Sequence, residues 1–167
     1  MKKRRHPDPE RLVQRASARF EAGLQLQAVR DGVWQATFDG TAAGGHGRLA
    51  GGGLVFAPDG TVHELGVPLP GTGCSNEAEY RALIGVLEWL QAQGARRVIV
   101  WGDSELVVRQ ALGEQSGKAA RLAAWRLRLQ ALVAGFECLD ARWIPRHRNA
   151  GADRLATAAL AGAAPER

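Results

Sequence analysis

The run Arg97-Val98-Ile99-Val100-Trp101 limits the fold more than any other stretch. A nearly continuous apolar segment of this length suits a central parallel strand covered on both faces. Gly102 breaks the run and Asp103-Ser104 opens a helical pattern. Asp103 therefore falls at the carboxyl end of a strand, where open α/β sheets place their sites. Upstream, Tyr80, Leu83, Val86, Leu87 and Leu90 recur with a 3.6-residue period, which predicts an amphipathic helix from Asn76 to about Gln93-Gly94. Glu79 lies on its apolar stripe with Leu83, Val86 and Leu90, whereas Glu77, Arg81 and Glu88 share the face expected to be solvated. A carboxylate aimed at a core is costly unless it is paired or holds a metal.

The remaining elements follow in order. Asp8-Pro9 starts a short amphipathic helix carrying Leu12, Val13, Ala16 and Phe20, expected to fade near Gly23. Residues 1–31 read as a basic N-terminal arm, residues 32–162 as the main domain and residues 163–167 as a tail. Val33 to Asp39 alternates as a strand ending at the turn pair Asp39-Gly40. Residues 41–47 are glycine-rich enough to predict an irregular loop whose backbone, at Gly44 and Gly45, can approach a ligand closely. Gly51–Phe56 and Thr61–Val67 form a hairpin across Ala57-Pro58-Asp59-Gly60. After Asp103 come a short helix to Gly113, a loop through Lys118, a helix from Ala119 to Ala134 packing Leu122, Trp125, Leu129 and Leu132, and a strand from Phe136 to Ile144. The basic loop Pro145–Arg148 leads to a last helix beginning near Asn149, with Asp153 expected to point inward beside Ala156 and Leu160. The order is three strands, helix, strand, two helices, strand, helix.

Charge bears on partners. Residues 1–30 hold eight Lys and Arg against three Asp and Glu, and the other residues hold fourteen of each. The net charge of +5 suggests a polyanionic partner. Cys74 and Cys138 form neither a CxxC motif nor a zinc spacing. No apolar run is long enough to span a membrane and no signal-peptide pattern is present, so a cytoplasmic, monomeric protein without a membrane partner is expected.

Asp39, Glu79, Asp103 and Asp153 are thus four carboxylates expected to converge. Like charges brought together raise one another's pKa unless cations neutralise them. Oxygen donors without clustered His or Cys favour Mg²⁺ or Mn²⁺. Each residue also has a local explanation: Asp103 as an N-cap, Glu79 as the partner of Asn76 in a capping box, Asp39-Gly40 as a turn, and Asp153 as an ion-pair partner of Arg146 or Arg148.

The ordered set Phe38-Asp39-Gly40, Asn76-Glu77-Ala78-Glu79-Tyr80, Gly102-Asp103-Ser104 and Asn149-Ala150-Gly151-Ala152-Asp153-Arg154-Leu155-Ala156 resembles type 1 ribonuclease H over roughly residues 33–160. Tyr80 and Trp143-Ile144-Pro145-Arg146 are similar to its archaeal-type branch. The resemblance implies an α/β ribonuclease H-like fold, a five-stranded mixed sheet of three antiparallel then two parallel strands flanked by helices. It further implies endonucleolytic hydrolysis of the RNA strand of RNA–DNA hybrids, with double-stranded RNA as a wider substrate. Two Mg²⁺ or Mn²⁺ ions on the four carboxylates would leave 5′-phosphate and 3′-hydroxyl ends. Gly40, Gly44, Gly45, Ser75 and Asn76 would follow the minor groove, Lys118 and Arg146 would hold phosphates, and Asn149 would orient Asp153 or the attacking water. The chain departs from the family in three ways. His147 is offset by one from the family's proton-shuttle position, the basic protrusion between the middle helices is missing, and residues 1–30 lack the aromatic pattern of the N-terminal hybrid-binding domain. The alternative reading is a catalytically silent hybrid-binding module of the same fold.

Overall fold

The computed structural model describes residues 8–114 and 120–162. Five strands form one sheet in the order β3-β2-β1-β4-β5. β1 (Trp34–Ala42), β2 (His46–Phe56) and β3 (Val62–Cys74) are antiparallel neighbours. β4 (Arg97–Gly102) pairs with β1 in parallel, and β5 (Cys138–Trp143) pairs with β4 in parallel. The helices are α1 (Pro9–Asp31), α2 (Ser75–Ala92), α3 (Glu105–Ala111), α4 (Ala123–Ala134) and α5 (Ala150–Gly162). This is the mixed sheet the sequence predicts.

The apolar run in β4 is central because it is covered on both faces. Val98 and Val100 are buried in the main core with Ala36, Phe38, Leu83, Leu87 and Leu90 under α2. Trp101 faces the other way, toward a second cluster of Leu24, Ala28, Leu54 and Phe56, with Phe20 edge-on at 5.2 Å. Leu129 of α4 joins the main core, with Trp125 and Leu132 packed against it, and so does Leu122, which lies in a 3-10 turn at Ala120–Leu122 rather than in the α-helix expected to begin at Ala119.

Only part of the glycine-rich stretch at residues 41–47 is irregular, and Gly51, Gly52 and Gly53 lie in a strand as the hairpin reading expects. β1 continues to Ala42 and β2 begins at His46, so the expected irregular segment shrinks to a turn at Ala43–Gly45, with Gly44 and Gly45 at φ 61° and 84°. In β2 a Cβ on Gly52 would lie 2.5 Å from Ala156 N, and one on Gly53 2.8 Å from Val86 Cγ2. These glycines allow α5 and α2 to close on the same strand from opposite faces. Helix approach explains the composition there.

Other boundaries shift for packing reasons. α1 begins at the Asp8 cap as expected, but it runs through exposed Gly23 to Asp31 and ends at Gly32 in the left-handed region. Burial of Leu24 and Ala28 against the sheet outweighs the helix cost of one glycine. Of the face expected to be solvated, Glu88 is exposed, but the end carrying Glu77 and Arg81 is not. α4 covers it, Trp125 Nε1 donates to Glu77 Oε1 at 3.0 Å, and the Arg81 guanidinium stacks 4.7 Å over the Trp125 ring. Among the described residues no helix is long and apolar enough to cross a membrane.

Candidate active site

Strand register brings the first two carboxylates together. Phe38 opposite Gly102 is the last pair of the β1–β4 ladder, so Asp39 and Asp103 are the next residues on two neighbouring parallel strands. β1 itself continues, with Asp39 paired to Gly52 of β2. The strand end expected at Asp39-Gly40 is therefore the end of β4 pairing, not of β1. Gly40 supplies the route for the third group. A Cβ there would run into the Ala78 carbonyl and sit 2.5 Å from Glu79 N, so the first turn of α2 rests directly on the strand. The Glu79 carboxylate accepts the Gly40 N–H, and carboxylate oxygens of Asp39, Glu79 and Asp103 all lie within 4.8 Å of one another.

Neither Glu79 nor Asp103 serves as a helix cap. Cys74 occupies the N-cap of α2 without a side-chain bond, so no capping box forms with Asn76. Ser104 caps α3 by accepting Val107 N–H at 3.4 Å, which leaves Asp103 free to accept from Asn149 Nδ2 at 3.1 Å.

The electrostatics are those of crowded anions in a dry place. Burial pushes Asp39 up to about 8, reinforced by the Asp103 and Asp153 charges and only partly relieved by a hydrogen bond with Glu79. Burial and then the Asp39 charge push Glu79 up to about 10, against the Gly40 N–H. Glu79 Oε2 is buried with no hydrogen-bond donor. A cation would satisfy that lone pair and offset the repulsion. The all-oxygen donor set of Asp39, Glu79 and Asp103 suits a hard divalent ion.

Asp153 departs from expectation. It is exposed, because α5 turns Ala152 and Ala156 to the sheet instead. Its carboxylate still lies within hydrogen-bonding reach of Asp39, so it stands at the open rim of the cluster rather than inside it. Asn149 also departs. It is 1 % exposed, and its Nδ2 donates to Phe38 O at 2.9 Å as well as to Asp103. Its side chain braces Asp103 against β1 and neither caps α5 nor bonds the Asp153 side chain. The sequence gives one signal for this, an amide beside a carboxylate motif, but its direction depends on the fold.

The other expected substrate residues gather at the same end of the sheet. His46 pairs with Cys74, which sets the Gly44-Gly45 turn beside exposed Ser75 and Asn76 at the head of α2. Arg146, His147 and Arg148 are exposed in a short turn beyond β5. Lys118 lies outside the described residues. Trp143, exposed and not foreseen, donates from Nε1 to the Asp103 carbonyl at 3.2 Å.

The family described as Reverse transcriptase-like matches residues 37–159. A Ribonuclease HI of Halobacterium salinarum is 32% identical over 151 residues, covering 90% of this chain and 76% of that protein. The Bifunctional protein Rv2228c of Mycobacterium tuberculosis is 37% identical over 127 residues, which span 35% of its length. The crystal structure of RNase H1 from Halobacterium salinarum superimposes with a TM-score of 0.72 at 35% identity, covering 78% of this chain and 98% of that one. LC11-RNase H1 in complex with RNA/DNA hybrid gives 0.70 at 32% identity, with the same two coverages of 78% and 98%.

Proposed function

The chain belongs to the type 1 ribonuclease H family, and from that membership we propose that it cuts the RNA strand of RNA–DNA hybrids endonucleolytically, leaving 5′-phosphate and 3′-hydroxyl ends. The observation that carries this reading is the convergence of Asp39, Glu79 and Asp103 within 4.8 Å, with Asp153 at the rim. These four would hold two Mg²⁺ or Mn²⁺ ions. Bound there, the ions would supply activation of a water on one side of a phosphodiester and stabilisation of the leaving oxygen on the other.

The chain's own residues then divide the remaining work. Buried Asp39 and Glu79 fix the inner wall, while Asn149 holds Asp103 by one hydrogen bond donated from its side-chain amide. Exposed Asp153 keeps one side of the cluster accessible to a strand. Gly40, Gly44, Gly45, Ser75 and Asn76 follow the minor groove, where 2′-hydroxyls separate RNA from DNA. Arg146 and Arg148 contact phosphates beside the site. Binding of hybrid by LC11-RNase H1 supports this substrate.

The test is cleavage of an end-labelled hybrid beside single-stranded RNA, double-stranded RNA and duplex DNA, with Mg²⁺, Mn²⁺ or chelator, for wild type and Asp103→Asn. Metal-dependent cutting of the hybrid's RNA strand, reduced at least about a hundredfold in the variant, is expected. Binding without cutting would favour the silent hybrid-binding module; preferential cutting of duplex DNA would replace the substrate.

A further inference from the structure

Asn149 occupies the backbone position of an N-cap, since its carbonyl accepts Asp153 N–H at 3.1 Å. Such a residue ordinarily turns its side chain onto the first N–H groups of its own helix. Here the side chain turns away, to Asp103 and Phe38. Those donors are satisfied from another helix. Ala150 N–H donates to Ser17 Oγ at 3.0 Å, and Gly151 N–H donates to the Glu21 carboxylate. A Cβ on Gly151 would collide with Glu21 Oε1 and displace the carboxylate from this position.

Ser17 and Glu21 are one turn apart on α1, and Ser17 is 3 % exposed. The Ser17 hydroxyl also donates to His147 O at 2.9 Å. It thus grips the chain two residues before Asn149 and one residue after it. The Phe20–Trp101 contact and burial of Leu24 and Ala28 fix α1 itself to the sheet.

We propose that Ser17 and Glu21 are positioning residues of the active site: by capping α5 from α1 they release the Asn149 side chain to hold Asp103. This inference rests on the proposed hydrolysis. It gives the N-terminal helix a catalytic consequence without any contact to substrate.

The experiment is a double-mutant cycle in the full chain, with Ser17→Ala, Asn149→Ala and both together, and with Ser17→Thr and Glu21→Gln alongside. Hybrid cleavage is read as kcat and KM, and Mn²⁺ affinity is read by calorimetry without substrate. Ser17→Ala should lower kcat and Mn²⁺ affinity by about tenfold with KM little changed, as removal of an outer partner of a ligand does. Ser17→Thr, which keeps the hydroxyl, should restore most of the loss. Glu21→Gln should show a smaller loss in the same direction. In the Asn149→Ala background, Ser17→Ala should cost almost nothing further. Equal losses in both backgrounds, or a loss confined to KM, would overturn the proposal. If wild type cuts no hybrid, the hydrolysis reading fails, yet the Mn²⁺ cycle still decides the coupling. Should Ser17→Ala not fold, the ranking of Ser17→Thr and Glu21→Gln against wild type decides it.

Discussion

Asp39 and Glu79 carry a residue-scale consequence that can be read from pH. Both hold protons in the fold well above their ordinary values of 3.8 and 4.5, chiefly through burial. From about pH 4 to about 10 the metal-free folded state therefore binds more protons than the unfolded chain, so its stability falls as pH rises. A divalent ion competes with those protons, and its stabilisation should grow over the same window. Melting curves from about pH 5 to 9, with chelator and with Mg²⁺, should diverge toward high pH. Glu79→Gln should flatten the metal-free slope and shrink the Mg²⁺-dependent gain. Parallel curves with and without Mg²⁺ would mean that the cluster holds no ion.

At the scale of elements, the glycines of β2 decide how close the helices come. Gly52→Ala would place a methyl 2.5 Å from Ala156 N and 2.7 Å from Ala152 O, both backbone atoms of α5. Overpacking of this kind costs about 3 kcal/mol, and here it would also push Asp153 away from Asp39. Gly85→Ala in the middle of α2 meets nothing within 4 Å. It should stabilise the fold by about 0.5–1 kcal/mol, because alanine loses less entropy in a helix. Denaturant unfolding of the two variants should therefore shift in opposite directions. A Gly52→Ala protein as stable as wild type would show that α5 does not need this contact.

For the whole molecule, the carboxyl ends of β1, β4 and β5 point the same way, so the acidic cluster and the exposed Arg146 and Arg148 share one end of the sheet. Cleavage efficiency should fall with salt, and neutralising either arginine should reduce the log–log salt slope by about one. A slope unchanged in both variants would remove those arginines from the substrate path. Much of this architecture is local in origin and therefore legible in the chain. The apolar run of β4, the stripe of α2 and the turn at residues 57–60 each carry their own period or turn chemistry, and with the motif order they indicate the sheet, the family and the carboxylates. Residues 41–47 mislead because glycine marks both a free loop and a tight turn between paired strands, and only the β1–β2 register, with β1 running to Ala42 and β2 starting at His46, separates the two. Asp153 is misplaced because Ala152 and Ala156, not the carboxylate, are what β2 admits at that distance. Asn149 is legible only as an amide beside a carboxylate motif, and the role of Ser17 is not legible at all. Hydrogen bonds between residues more than a hundred positions apart leave no periodic trace, so the chain determines which groups are present and the tertiary structure decides which of them face one another.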